Sequence, residues 1–248
     1  MDYIEIDEAI GRPGLRLVLT PHVPGPYGEA AKAILHVKRI PYVPVRQPGE
    51  REDRTALLRW TRQTSAPVAM YEDERPRSGW TEILFLAERL EPSPRLLPTD
   101  PFDRALMLGL CHEICGEHGL GWTRRLQLLP RGVQGEPETM LWKYGLEDEA
   151  AIDNASARAN EIVALLGGQL ERQRRAGSRF FIGDALTALD LYWACFSNML
   201  APLPPERSPM PDFMRKIYST PGVEAPAPIL LEHRAFVFER YLELPQSF

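Results

Sequence analysis

The stretch from Thr64 to Glu88 constrains the fold of this chain more than any other part of the sequence. It opens on the step Ala66-Pro67, continues with a short apolar run at Val68–Tyr71 and then reaches a polar segment that contains Pro76. Apolar residues at helical spacing follow from about Ser78 onward: Ile83, Leu84, Leu86, Ala87 and Leu90. The stretch therefore predicts a strand, a tight turn and a helix in immediate succession.

Two features of this stretch can bind a small acidic ligand. Ala66 must be extended, because the ring of a following proline clashes with a helical backbone, and Pro67 has no N–H to donate. If the Ala66-Pro67 bond is cis, the backbone of Ala66 is free to pair with an amide of a ligand. The helix start at Ser78 offers a hydroxyl, unpaired N–H groups and the positive end of the helix dipole, which suit a carboxylate. The structural alternative is an ordinary proline at the entry to a strand, followed by an ordinarily capped helix.

The rest of the first half alternates strands and helices. Strands are predicted at Leu15–Thr20 and Tyr42–Arg46, with a helix between them that starts at Tyr27 and a polar helix from about Arg51. A strand-helix-strand unit of this kind gives parallel strands joined by a right-handed crossover. Because Pro44 cannot donate to a ladder, the second strand is predicted at a sheet edge. The segment before Ser78 has room for one more short strand.

The second half is predicted to be helical throughout. Residues Glu91–Pro101 hold four prolines and separate two predicted domains, 1–92 and 102–248, with 93–101 as the linker. Helices are predicted at about Asp103–Glu117, Ile152–Arg175, Thr187–Leu200, Phe213–Tyr218 and Leu230–Tyr241. Met1–Gly14 is predicted to be a polar lead-in, and Gly119–Gly145, which includes the turn-rich part Pro130–Pro137, to be less regular. Leu106 and Leu165 are expected to face the core. Thr187 and Asp190 are predicted to form a capping box, in which Asp190 reaches back to the N–H of Thr187.

Charge and cysteine content limit the function classes. The net charge of −5 argues against a general nucleic-acid surface. Three cysteines, an odd number without a regular framework, indicate a reducing compartment. The acidic start lacks the features of a secretory signal, and no apolar run approaches the ~20 residues that cross a bilayer. We expect a cytoplasmic protein with neither a nucleic-acid nor a membrane partner.

Several of these motifs together resemble the glutathione S-transferase family. Ala66-Pro67 is similar to the family's lead-in residue and cis-proline, and Gly183-Asp184 followed by Thr187 and Asp190 is similar to the start of the family's buried helix. The resemblance covers about Leu15 to Tyr218 and implies a divergent member. The fold class that it implies is an α/β thioredoxin-like N-terminal domain followed by an all-α C-terminal helical bundle.

The resemblance also implies an activity. A glutathione transferase conjugates or reduces a small hydrophobic electrophile, with glutathione as the co-substrate, and usually forms a homodimer. In this chain glutathione would lie along Ala66 and Pro67, with its γ-glutamyl end at Ser78 and Arg77. The family's acidic-serine pair falls on Ser78-Gly79. The alternative function is a binding or interaction protein that keeps the fold without the chemistry.

A transferase also needs a group that keeps the bound thiol as thiolate, since the pKa of a free thiol is ~8.5. The family's Cys-Pro-Phe at the helix entry of omega-like members reads Gly25-Pro26-Tyr27 here, so a cysteine nucleophile at that place is not expected. The resemblance leaves Tyr27 and Thr20 as catalytic hydroxyls. His22 and the absence of any donor are the remaining alternatives.

Two further groups of residues have a structural and a functional interpretation. Cys111 and Cys115 share a helix face next to His112 and His118, a spacing that could hold a metal, but both cysteines also fit the apolar stripe of their helix. We therefore predict no metal site. Trp122, Trp142 and Tyr144 are candidates for the wall of an acceptor pocket between the two halves, although aromatic residues more often pack in a core.

Overall fold

The computed structural model describes residues 1–49, 51–129, 140–144 and 149–248. In the first half the elements are α1 (Ile6–Ala9), β1 (Leu15–Leu19), α2 (Pro26–Val37), β2 (Val43–Arg46), α3 (Thr55–Thr61), β3 (Val68–Tyr71) and α4 (Trp80–Leu90). In the second half they are α5 (Pro101–Cys115), α6 (Leu120–Leu128), α7 (Met140–Lys143), α8 (Glu149–Arg175), α9 (Ala188–Phe196), a 3-10 turn (Ser197–Met199), α10 (Asp212–Tyr218) and α11 (Pro228–Tyr241). The predicted turns at Pro130–Pro137 lie outside the described residues.

Three described strands form one mixed sheet in the order β2-β1-β3. The central strand β1 is buried along its whole length and runs parallel to β2, with Leu17 opposite Pro44, and antiparallel to β3. The edge position predicted for Pro44 is confirmed. In place of a fourth strand, a single antiparallel bridge joins Ala69 to Arg77, whose backbones exchange two hydrogen bonds of 2.8 and 3.0 Å.

Two helices lie in segments for which no helix was predicted. The predicted polar lead-in contains α1, whose Ile6 and Ala9 are buried in a small cluster with Val45. Helix α6 lies in the segment predicted to be less regular. A Cβ at Gly121 would lie 2.5 Å from the ring of Phe196, so this glycine lets two helices approach closely.

The interior of the second half is built around α9, all of whose residues are buried. The predicted capping of this helix is confirmed, since the backbone N–H and the hydroxyl of Thr187 both donate to Oδ2 of Asp190, at 2.7 and 2.8 Å. Two predicted core residues are instead exposed, Leu106 at 45% and Leu165 at 41%. Each lies on its helix beside the apolar stripe, so the helical spacing alone did not separate core from edge.

The two halves pack directly on each other. Helix α2 lies against α9, and the Tyr192 hydroxyl donates to the Trp80 carbonyl at 3.0 Å. The Lys38 ammonium, buried 2.7 Å from the Glu88 carboxylate, also donates to the carbonyls of Glu91 and Pro94. This ion pair fixes the proline-rich segment between the halves. Among the described residues no helix is long and apolar enough to cross a membrane.

Candidate functional site

The chain just before β3 presents unpaired backbone groups. The Ala66-Pro67 peptide bond is cis, Pro67 is buried and Ala66 is half-buried. In the part of the chain that the structure describes, neither the N–H nor the carbonyl of Ala66 has a hydrogen-bond partner. Partly buried backbone groups without partners are rare, because each costs free energy. They can bind an extended peptide-like ligand as an added strand does.

The hydroxyl of Thr20 is connected through Gln47 to the segment that precedes Ala66. Thr20 directly follows β1 and donates to Oε1 of Gln47 at 2.5 Å. The side-chain amide of Gln47 in turn donates to the Thr64 carbonyl at 3.1 Å, two residues before Ala66. The sheet therefore brings Thr20 to the edge of the Ala66 site through one glutamine, a link that the sequence spacing does not reveal.

Tyr27, at the start of α2, faces the helical half. Its ring packs edge-on against Phe196, with 4.9 Å between ring centroids, and its hydroxyl donates to the Cys115 carbonyl at 2.9 Å. Burial raises the pKa of Tyr27 well above its usual value, with smaller contributions from Tyr144 and Cys115. The hydroxyl that could donate to a thiolate is thus occupied by a backbone carbonyl.

The N-terminus of α4 already holds a carboxylate. The backbone N–H groups of Ser78 and Gly79 both donate to Oε2 of Glu82, at 3.1 and 3.0 Å. The other oxygen of Glu82 pairs with Arg75 at 2.5 Å. Burial raises the pKa of Glu82, but the hydrogen bonds from Arg75 and the two amides outweigh burial and leave this pKa below its usual value. These amides therefore bind an anion, and the anion present is a side chain of the same helix.

Arg77 does not point freely toward a ligand. Its guanidinium is largely buried and pairs with Glu74 at 2.8 Å, while Arg89 binds the same carboxylate at 2.6 Å. The backbone of Arg77 is held by the bridge to Ala69. The expected ligand contact of Arg77 would require this ion-pair network to open.

A cation that the sequence analysis missed reaches the site from the helical half. The Lys143 ammonium, at the end of α7, donates to the hydroxyl of Ser65 at 3.0 Å. The neighbouring Tyr144 is buried, and the guanidinium of Arg125 lies 5.4 Å from its ring centroid. No short motif signals this arrangement, because Lys143 and Ser65 are 78 residues apart in sequence.

The remaining candidate residues occupy other environments. Cys111, Cys115 and Cys195 are buried free thiols, and burial raises the pKa of each. The described residues contain no group of side chains that could hold a metal ion. Trp122 packs on Tyr144 with 4.7 Å between ring centroids, and Trp142 is exposed. A cavity of about 500 Å³ lies elsewhere, lined by Arg174, Arg179, Glu232, His233 and Phe236.

No protein-family model and no curated protein matches the sequence. Solved structures do match. The tau class glutathione S-transferase of mango, Mangifera indica, is 21% identical with a TM-score of 0.63, over 92% of this chain and 90% of its own. A glutathione transferase homologue from Sulfitobacter with bound glutathione is 16% identical with a TM-score of 0.62, over 92% and 94%. Ure2p in complex with S-p-nitrobenzylglutathione is 13% identical with a TM-score of 0.67, over 92% and 91%.

These likenesses confirm the fold that the motifs predicted. The chain has a thioredoxin-like N-terminal half and an all-helical C-terminal half, in the arrangement of the glutathione transferases. At this level of identity the comparison establishes the architecture, and the chemistry has to be argued from the residues at the site.

Proposed function

We propose that this chain, which has the glutathione transferase fold, binds glutathione and uses it to conjugate or reduce a small hydrophobic electrophile. The observation that carries the proposal is the unpaired backbone of Ala66, in a segment where Gln47 links Thr20 to the Thr64 carbonyl and Lys143 donates to the Ser65 hydroxyl. On this proposal residues 1–92 form the glutathione-binding domain, 93–101 the linker and 102–248 the helical domain.

Each part of glutathione has a chemically suitable partner. The amide groups of its cysteinyl residue pair with the backbone of Ala66, next to Pro67. Its γ-glutamyl carboxylate takes the amides of Ser78 and Gly79, which bind the Glu82 carboxylate in the free protein. Glu82 then moves toward Arg75, with which it is already paired. Glutathione in the Sulfitobacter homologue and glutathione derivatives in Ure2p support this choice of ligand.

The chemistry that follows is nucleophilic attack by sulfur. The bound thiol loses its proton to water and a hydroxyl donor stabilises the thiolate. The sulfur electron pair then forms a bond to the electrophilic carbon of the second substrate, and for an aryl halide the carbon–halogen bond breaks and its electron pair leaves with the halide ion. Between the two predicted donors the hydrogen bonds favour Thr20, because the Tyr27 hydroxyl is occupied by the Cys115 carbonyl. Thr20 has to turn its hydroxyl from Gln47 to the sulfur.

One pair of observations favours a second candidate, a binding or interaction protein that has kept the fold without the chemistry. The helix amides are filled by Glu82 and the Tyr27 hydroxyl is turned into the helical half. A protein of this kind would bind glutathione weakly or take a different partner on the same surface.

Titration calorimetry followed by an activity assay tests these proposals. Binding of glutathione at micromolar to low-millimolar concentration would support glutathione as the ligand, and no heat of binding at several millimolar would overturn that proposal.

Conjugation of a generic aryl halide is then compared among wild type, Thr20→Val, Thr20→Ser and Tyr27→Phe. We expect Thr20→Val to lose most of the rate, Thr20→Ser to keep it and Tyr27→Phe to change it little. Equal rates in all four would exclude both hydroxyls, and binding without turnover would favour the second candidate.

We also propose a cytoplasmic homodimer, as the resemblance implies. Sedimentation equilibrium gives the mass in solution directly. A mass near 28.1 kDa, that of one chain, would oppose the dimer.

A further inference from the structure

We propose that Lys143 is the cation that stabilises the thiolate of the bound thiol tripeptide, as a catalytic residue supplied by the helical half. This inference rests on the proposed function and deepens it, because it assigns the charge that makes the sulfur acidic. A hydroxyl such as Thr20 donates one hydrogen bond to a thiolate, whereas an ammonium also supplies a full opposite charge.

The position of Lys143 is set by contacts with both halves of the chain. Its ammonium donates to the Ser65 hydroxyl at 3.0 Å, directly before Ala66, whose unpaired backbone is the proposed seat of the cysteinyl residue. The next residue, Tyr144, is buried under the Arg125 guanidinium, 5.4 Å from its centroid, and packs on Trp122. This packing holds the end of α7 against the strand-entry segment 64–66.

The electrostatics of the free protein favour an anion at this place. Lys143 is exposed to solvent, but partial desolvation by its neighbours, and next the positive charge of Arg125, lower the pKa of its ammonium. Among the described residues no carboxylate pairs with Lys143, which bonds only to the neutral Ser65 hydroxyl. Like charges repel each other, and a negative charge bound next to the Lys143 ammonium offsets that repulsion. A thiolate on the cysteinyl residue at Ala66 supplies such a charge.

The ultraviolet absorbance of the thiolate measures the pKa of bound glutathione directly. The three protein thiols are buried and their pKa values are raised, so they stay protonated over the range of the titration. The titration is carried out at saturating glutathione on wild type, Lys143→Met, Lys143→Arg and Lys216→Met. Lys216 is an exposed lysine of α10 whose side chain has no partner in the described part of the chain, which makes it a matched control.

We expect Lys143→Met to raise the pKa of the bound thiol by about one unit, which is the lower end of the effect of an opposite charge within contact distance. Lys143→Arg and Lys216→Met are expected to leave it near the wild-type value. Affinity gives a second readout. Above the thiol pKa, Lys143→Met should bind glutathione more weakly than wild type does, whereas both should bind S-methylglutathione, which cannot form a thiolate, equally well.

The possible failures are distinguishable. If wild type binds no glutathione, the proposed function is overturned and this assignment with it. If wild type binds glutathione and Lys143→Met shows the same thiol pKa, only the Lys143 assignment is overturned. If Lys143→Met loses affinity equally for glutathione and S-methylglutathione and the thiol pKa is unchanged, Lys143 pairs with a carboxylate of the ligand and not with the sulfur. This result would also overturn the assignment. Circular dichroism of each variant confirms that it is folded.

Discussion

The Glu82 carboxylate accepts a hydrogen bond of 3.0 Å from the backbone N–H of Gly79, at the first turn of the helix that follows β3. The same oxygen accepts from Ser78. The amides at which the γ-glutamyl carboxylate of a ligand is expected are therefore occupied by an internal carboxylate. A ligand therefore has to compete with Glu82 for these donors.

Replacement of Glu82 by Gln should strengthen glutathione binding. The neutral amide oxygen is a weaker acceptor for the two backbone N–H groups, and its lack of charge removes the repulsion of an incoming carboxylate. We expect an increase in affinity of about tenfold, equivalent to about 1.4 kcal/mol, measured by titration calorimetry. Glu206→Gln, a change at an exposed carboxylate without a described partner, is the control. An affinity that falls in Glu82→Gln would mean that the ligand does not use these amides.

The same substitution should change how stability depends on pH. The pKa of Glu82 in the folded protein lies below its ordinary value of 4.5, so the ionised carboxylate stabilises the folded state above pH 4.5. That contribution is lost as the pH falls through the folded-state pKa. Wild type should exceed Glu82→Gln by about 1 kcal/mol in free energy of unfolding at neutral pH, as is typical of a helix cap. Urea unfolding at decreasing pH should show this difference disappear, and a difference that grows on acidification would contradict it.

Replacement of Tyr27 by Phe should lower the free energy of unfolding and should have little effect on activation of the bound thiol. Cys115 is the last residue of α5, so its carbonyl has no acceptor role within the helix and depends on the Tyr27 hydroxyl. Loss of the hydroxyl leaves this buried carbonyl unpaired, and we expect a loss of about 1–3 kcal/mol in urea unfolding. Tyr241→Phe, at a hydroxyl without a hydrogen bond in the described residues, should be nearly neutral. Unchanged stability in Tyr27→Phe would contradict the observed bond.

Substitution of Asp190 should lower the free energy of unfolding far more than substitution of its neighbours does. Its carboxylate accepts from the backbone N–H groups of Thr187 and Phe181 and from the Thr187 hydroxyl, all of them buried. Asp190→Ala leaves three buried donors unpaired and should cost at least about 3 kcal/mol, whereas Thr187→Val removes one of them and should cost about 1 kcal/mol. Asp184→Asn, an exposed carboxylate in the same loop, serves as the control. Equal costs at Asp184 and Asp190 in urea unfolding would contradict this network.

The parts of the fold that were predicted correctly depend on nearby residues. The strand Val68–Tyr71 has the predicted bounds, and the edge position of β2 follows from the missing donor of Pro44. The capping by Asp190 acts across three residues. The helix at Leu120–Leu128 was not predicted because Gly121 lowers local helix propensity. A glycine is needed at this position because the ring of Phe196, which belongs to a helix distant in sequence, packs against it.

The candidate site also has features that the local sequence predicts and features that only the tertiary structure decides. Local sequence determined that a strand follows Pro67 and that a helix begins after Ser78, because backbone conformation responds to residues only a few positions away. Tertiary structure alone decided that the Tyr27 hydroxyl meets Cys115, 88 residues later, and that Lys143 reaches Ser65 across 78 residues. The first of these contacts depends on how α2 and α5 pack against the buried α9. No local pattern encodes them, since packing is settled by the shape and burial of the whole core.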